Sequence, residues 1–205
     1  MTYVKASVRR PSGNPGNGIQ PKDQLVIYDV DDILSFPPRN EAGVVIEEDI
    51  VMKAGRYAIS IYLTPGTAEI SSNSDGETDA EGYTPSVKFN HPGNEQEIRE
   101  FKTNWLSKKC IVVLRYCSGK PADLIGTPCN PCKLSVSYTG SNESNTNELT
   151  FTQISKGDDI AIYRGTDTLE EPVAVVEAGA TDIDYQTDGQ YQLSAGAAKI
   201  AGVTG

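Results

Sequence analysis

The sequence predicts a mainly β fold: a β-sandwich or barrel with one flanking α-helix, a long loop and an extended N-terminal arm. Three observations carry this reading. Apolar and polar residues alternate with period two, most clearly in Arg56–Leu63, where Tyr57, Ile59, Ile61 and Leu63 share one face and Ala58, Ser60 and Tyr62 the other; period two marks a sheet with one buried face. Turn residues interrupt the apolar segments often enough to yield about eight to ten short strands. A single segment, Asn94–Ser107, has helical periodicity.

The elements follow in order. Residues 6–24, ASVRRPSGNPGNGIQPKDQ, are rich in Pro, Gly and Asn and have no apolar period, so they read as an irregular arm. Leu25–Tyr28 (LVIY) is a short buried strand. Pro37-Pro38 breaks the chain before the candidate strands Val44–Ile46 and Ile50–Met52. After RYAISIYL, Thr64-Pro65-Gly66 turns the chain, Asn73–Gly82 is an acidic loop and Ser86–Asn90 a strand. The helix has Asn94 as N-cap with Glu97 three residues on, in a capping-box spacing. Glu95 and Glu97 suit the positive end of its dipole, Lys108 and Lys109 the negative end. Ile98, Phe101, Trp105 and Leu106 form one apolar stripe and Glu95–Arg99 an i,i+4 pair. Cys110–Cys117 (CIVVLRYC) is a β-branched strand. Ser118–Pro131 is a long loop with an apolar tip, Leu124-Ile125. Alternation then marks strands around Leu134, Val136 and Tyr138 and around Leu149, Phe151 and Gln153, joined by the polar turn GSNESNTN. Ile160–Tyr163 and Val173–Val176 complete the set. The expected organisation is an arm over 1–24, a single β-sandwich domain over 25–194 and a small-residue tail over 195–205.

Size and charge bound the function. A chain of 205 residues buries one substantial core. No apolar run approaches the ~18 residues of a membrane span, and MTYVKASVRR has no apolar secretory core, so folding in a cytoplasm is expected. The net charge is −10, opposite in sign to a protein that grips phosphate. The charge is uneven: Lys5, Arg9, Arg10 and Lys22 make the arm basic while the body is acidic, an arrangement that favours self-association.

Motifs for chemistry are sparse. His91 is the one histidine and sits at a turn before Pro92-Gly93, which excludes a two-histidine metal site. Cys110, Cys117, Cys129 and Cys132 are the candidate zinc set, with Cys129 and Cys132 as a CxxC. The first pair is too widely spaced, and its odd separation points the two thiols to opposite faces of one strand. Loop or buried thiols are the expected reading, with no metal and no cofactor. Asp29, Asp31 and Asp32, and the loop acids Asp75, Glu77, Asp79 and Glu81, lack EF-hand spacing and read as solvated or lumen-facing charge. Lys120 follows Gly119 but precedes Pro121, which is no P-loop. No enzymatic activity is expected.

The succession from Tyr57 to Gly165, with SVKFNHPGNEQEIREFKTNWL as strand and flanking helix, resembles the tail-tube proteins of tailed bacteriophages. The resemblance covers about half the chain. It implies rings, hexameric in that family, stacked into a conduit for double-stranded DNA that passes without specific binding, in a virion tail assembled in the host cytoplasm beside other tail proteins. It implies that the arm, with Arg9 and Arg10, bridges subunits. It also implies that the loop Ser118–Pro131, with Leu124 and Ile125, meets the next ring. Asp75, Glu77, Asp79 and Glu81 become candidates for lumen charge, since a conduit should not hold phosphate.

Three competing readings remain. One is another phage structural protein, for tail completion or capsid decoration. A second is a β-sandwich module binding carbohydrate or a cell-surface target, which needs an exposed aromatic platform from Tyr62, Tyr83, Tyr116 and Tyr138. The last is an acid-pair enzyme such as a glycosidase, which needs two carboxylates about 5 to 10 Å apart in a cleft.

Overall fold

The computed structural model describes residues 6–14, 16–117 and 119–169, and beyond them the backbone of three short strands. The chain divides into two compact units, Met1–Glu170 and Glu171–Gly205. In the first, β1 is Pro21–Asp29, β2 Ile33–Ser35, β3 Val45–Ile46, β4 Val51–Met52, β5 Ile59–Tyr62, β6 Glu69–Asp75 and β7 Gly82–Pro92. Helix α1, Gln96–Trp105, precedes β8 Cys110–Tyr116, β9 Ala122–Ile125, β10 Cys132–Gly140, β11 Asn145–Gln153 and β12 Ala161–Tyr163. The second unit contains an antiparallel sheet of β13 Ile183–Tyr185, β14 Tyr191–Leu193 and β15 Lys199–Ile200. The strand expected at Val173–Val176 lies outside the described residues.

The first unit is a mainly β, sandwich-like fold with one flanking α-helix. Its centre is the antiparallel pair β1–β8. Leu25 faces Leu114, Val26 faces Val113, Ile27 faces Val112 and Tyr28 faces Ile111. Both strands are apolar without alternation because both faces are covered. Leu25, Ile27, Val112 and Leu114 enter a first core; Val26, Tyr28, Ile111 and Val113 enter a second on the reverse face.

The sheet forks at β8. One edge of β8 holds β1, which holds β5. The other edge holds β9, leading to β12 and β3, and meets β10 through Cys132 opposite Cys110, leading to β11, β7 and β6. Leu134, Leu149, Phe151, Val87 and Phe89 of the second branch join β5, β1 and β8 in the first core. Phe89 and Phe151 stack there with centroids 6.3 Å apart. Burying each such ring contributes about 1.5–3 kcal/mol.

Five expectations are corrected. Leu124 and Ile125 are not an exposed loop tip: they lie in β9, inside the expected loop, and are 0% and 2% exposed. Pairing with β8 and β12 satisfies the β9 backbone, so the segment is buried in the single subunit. The capping box does not form. Glu95 occupies the N-cap without a side-chain bond, because the Asn94 amide oxygen accepts from Lys102 Nζ at 2.8 Å. Arg99 turns from Glu95 to the Asn94 carbonyl, at 2.8 Å. Leu106 follows the helix as its C-cap and is exposed, while Ile98, Phe101 and Trp105 do pack on the first core. The acidic loop is shorter than expected: residues 73–75 belong to β6 and Gly82 opens β7.

Candidate functional site

The residues singled out for metal chemistry do not converge. Cys110 and Cys132 are buried and face each other across β8 and β10, whereas Cys117 and Cys129 are exposed; all four are free thiols. Among the described residues no cluster of three or more His, Cys, Asp or Glu side chains is placed to hold a metal ion. Burial, and then nearby Asp29, push the Cys110 thiol up to about 12; burial also raises Cys132. Neither is a ready thiolate. Gly126 makes this seam possible: its φ is +92°, and a Cβ there would sit 3.1 Å from Cys132 Sγ. His91 Nδ1 lies 2.9 Å from the carbonyl of Tyr62, whose ring it meets edge-on.

The acidic residues form the tip of the β6–β7 hairpin. Asp75 ends β6, and Glu77, Asp79 and Glu81 occupy the turn. The turn is tight. Gly76 has φ +145°, and a Cβ there would fall 2.3 Å from the Ala80 carbonyl oxygen, so only glycine fits. Asp79 takes φ +69°, which aspartate tolerates. The Lys156 ammonium, 3.0 Å away, hydrogen-bonds Asp75 and holds it below the usual carboxylate range. Glu77, Asp79 and Glu81 form no ion pair among the described residues and face solvent. Beside the hairpin's turn a cavity of about 310 Å³ is lined by Arg39, Glu81, Tyr83, Asp158 and Asp159 among others. Arg39 crosses it, donating to the carbonyls of Gly43 and Asp159 at 3.0 and 2.6 Å, with Asp158 3.8 Å from its Nε.

Two strands, β6 and β5, are open along one side. Among the described residues, β6 pairs only with β7 and β5 only with β1. Unpaired N–H and C=O groups along such edges template pairing with another chain. Residues 6–13 of the arm are exposed, Arg9 and Arg10 among them. The arm is fastened at Gln20, whose carbonyl accepts the Cys117 N–H at 2.9 Å.

The tyrosines are dispersed in their roles. Tyr62, Tyr83 and Tyr138 are exposed, but Tyr116 is buried with its hydroxyl on Asp123. Lys102 covers one face of Tyr138, 5.2 Å from its centroid.

One polar cluster escaped the sequence reading. Asp167 accepts from the Tyr28 hydroxyl at 2.7 Å and from the Arg115 guanidinium, which also donates to the Gly165 carbonyl at 2.7 Å. Arg115 lies over the Tyr163 ring, 5.6 Å from its centroid. Burial, reinforced by Asp167, pushes the Tyr28 hydroxyl far above its ordinary value. The available signal was Arg115 itself, one charge in the apolar run CIVVLRYC; its partner, 52 residues on, has no sequence signature.

No family model, no curated protein and no solved structure matches the chain. No helix among the described residues is long and apolar enough to cross a membrane.

Proposed function

We propose that the chain is the repeating subunit of a phage tail tube, a structural virion protein rather than an enzyme. It stacks as rings, hexameric in the family it resembles, around an acidic conduit for double-stranded DNA. The observation that carries this is the pair of open sheet edges, β5 and β6, each paired with a single neighbour among the described residues. Edge-to-edge pairing around a closed ring removes such edges. Two features support the role. The hairpin beside β6 ends in Glu77, Asp79 and Glu81, and the net charge is −10, so a lumen lined by this hairpin repels phosphate. The exposed arm presents Arg9 and Arg10 to a neighbouring acidic body. Leu124 and Ile125 drop out of the assembly surface because the subunit buries them itself.

The test is negative-stain electron microscopy of the purified chain at raised concentration, with light scattering on the same sample. Rings or tubes with a hole wide enough for duplex DNA are expected. A monomer at every concentration overturns the reading and turns attention to a monomeric binding module, for which a glycan screen is the next measurement.

A further inference from the structure

We propose that Asn17–Gly18, in the arm, is a self-modification site at which the asparagine amide is lost through a succinimide and the residue matures to aspartate and isoaspartate. This stands independently of the tail-tube reading. Asn17-Gly18 is the chain's sole Asn-Gly pair. Asn17 is exposed; its backbone N–H donates to the Asn14 carbonyl at 3.2 Å, and among the described residues no hydrogen bond holds its side-chain amide. Gly18 has no side chain to shield its nitrogen from the neighbouring amide, and nothing lies within 4 Å of the position its Cβ would take.

The fold guards other asparagines. Asn130 is bonded at both ends of its amide to Ser155, at 2.7 and 3.0 Å, and precedes Pro131, whose nitrogen has no hydrogen to lose. Asn147 is wholly buried, donating to Gly93 and accepting from Lys102, each at 2.6 Å. The Asn40 side chain accepts the N–H groups of Val44 and Val45 and precedes Glu41.

In the reaction the Gly18 nitrogen gives its proton to solvent base and attacks Asn17 Cγ. The N–Cγ bond forms, the Cγ–Nδ2 bond breaks, and ammonia leaves carrying a proton. Water then adds to either ring carbonyl and opens it to aspartate or isoaspartate. No oxidant or reductant is involved. The product carries one more negative charge, placed just outside Gln20, where the arm is fastened to the body. Isoaspartate also lengthens the backbone there by one carbon. The arm of Arg9 and Arg10 is thereby made less basic and redirected at its root.

The experiment incubates the full chain at mildly alkaline pH beside a synthetic peptide of the arm, which sets the time scale. Intact mass and peptide mapping follow the reaction, with an isoaspartyl methyltransferase as the probe for isoaspartate. A gain of one mass unit confined to the Asn17–Gly18 peptide is expected, faster as pH rises. Asn17→Gln should abolish it and Gly18→Ala should slow it several-fold. The proposal is overturned if the arm of the protein stays unchanged while the peptide converts, if another asparagine converts first, or if Gly18→Ala has no effect.

Discussion

The two cores are built on opposite faces of the same strand pair, yet they are held differently. The first lies between two sheet branches and is lined by aliphatic and aromatic side chains such as Leu25, Val112, Phe89 and Phe151. The second, behind Val26, Tyr28, Ile111 and Val113, is roofed partly by irregular chain. A sheet satisfies its own backbone, whereas irregular chain brings unpaired N–H and C=O groups that need partners. The second core supplies them from side chains. The Tyr163 hydroxyl accepts from the Ile50 N–H at 3.3 Å and donates to the Thr166 carbonyl at 3.1 Å, while Arg115 takes the Gly165 carbonyl. What covers a face, more than what lies on it, decides whether packing or polar bonding holds it.

The largest expected effect lies in the first core. Phe89→Ala should cost about 3–5 kcal/mol in urea denaturation, with little change across the neutral pH range. Thiol labelling reads the same core: Cys117 and Cys129 should react with a disulfide reagent in the native protein, and Cys110 and Cys132 only on unfolding. Prompt reaction of all four native thiols would mean the seam is open.

In the second core, Asp167→Ala should cost about 3 kcal/mol, because Arg115 is left without its partner. Adding Arg115→Met should recover part of that loss. A double variant as unstable as the sum of the two singles would show that the pair acts independently rather than as a unit. Tyr28→Phe removes one hydrogen bond to a carboxylate and should cost about 1.5 kcal/mol by the same assay.

The smallest effect concerns Asp123, on β9, which accepts from Tyr116 and is held above the ordinary carboxylate range by burial. Its folded pKa exceeds its unfolded one, so folding favours the protonated form. That stabilisation is complete below the unfolded value of about 3.9 and is lost as pH climbs through the folded value. Asp123→Asn should therefore be more stable than the parent at neutral pH, with the advantage shrinking as pH falls. An advantage that grows in acid would reverse the sign of the argument.

Much of the fold was legible in the sequence. Alternation located β5, β10 and β11, and the spacing of Ile98, Phe101 and Trp105 located the helix, because these patterns are local and each follows from one buried face. Glu77, Asp79 and Glu81 are exposed at the hairpin tip, whereas Asp75 meets Lys156, a partner 81 residues along that no local pattern marks. Strand β9 was not legible: four residues amid Gly and Pro carry no period, and pairing to β8 and β12 alone makes Ala122–Ile125 a strand. The capping box failed because Lys102, eight residues along, competes for the Asn94 oxygen.

The sequence by itself determined the β class, the presence of the α1 helix, the acidic balance and the exposed basic arm. All rest on periodicity and composition, which act over a few neighbouring residues. Only the tertiary structure decided that β1 and β8 are covered on both faces, that Cys110 meets Cys132, that Leu124 and Ile125 are interior and that Arg115 finds Asp167. Each of those depends on groups brought together from distant parts of the chain, where burial makes leaving a polar group unpaired too costly for any other arrangement.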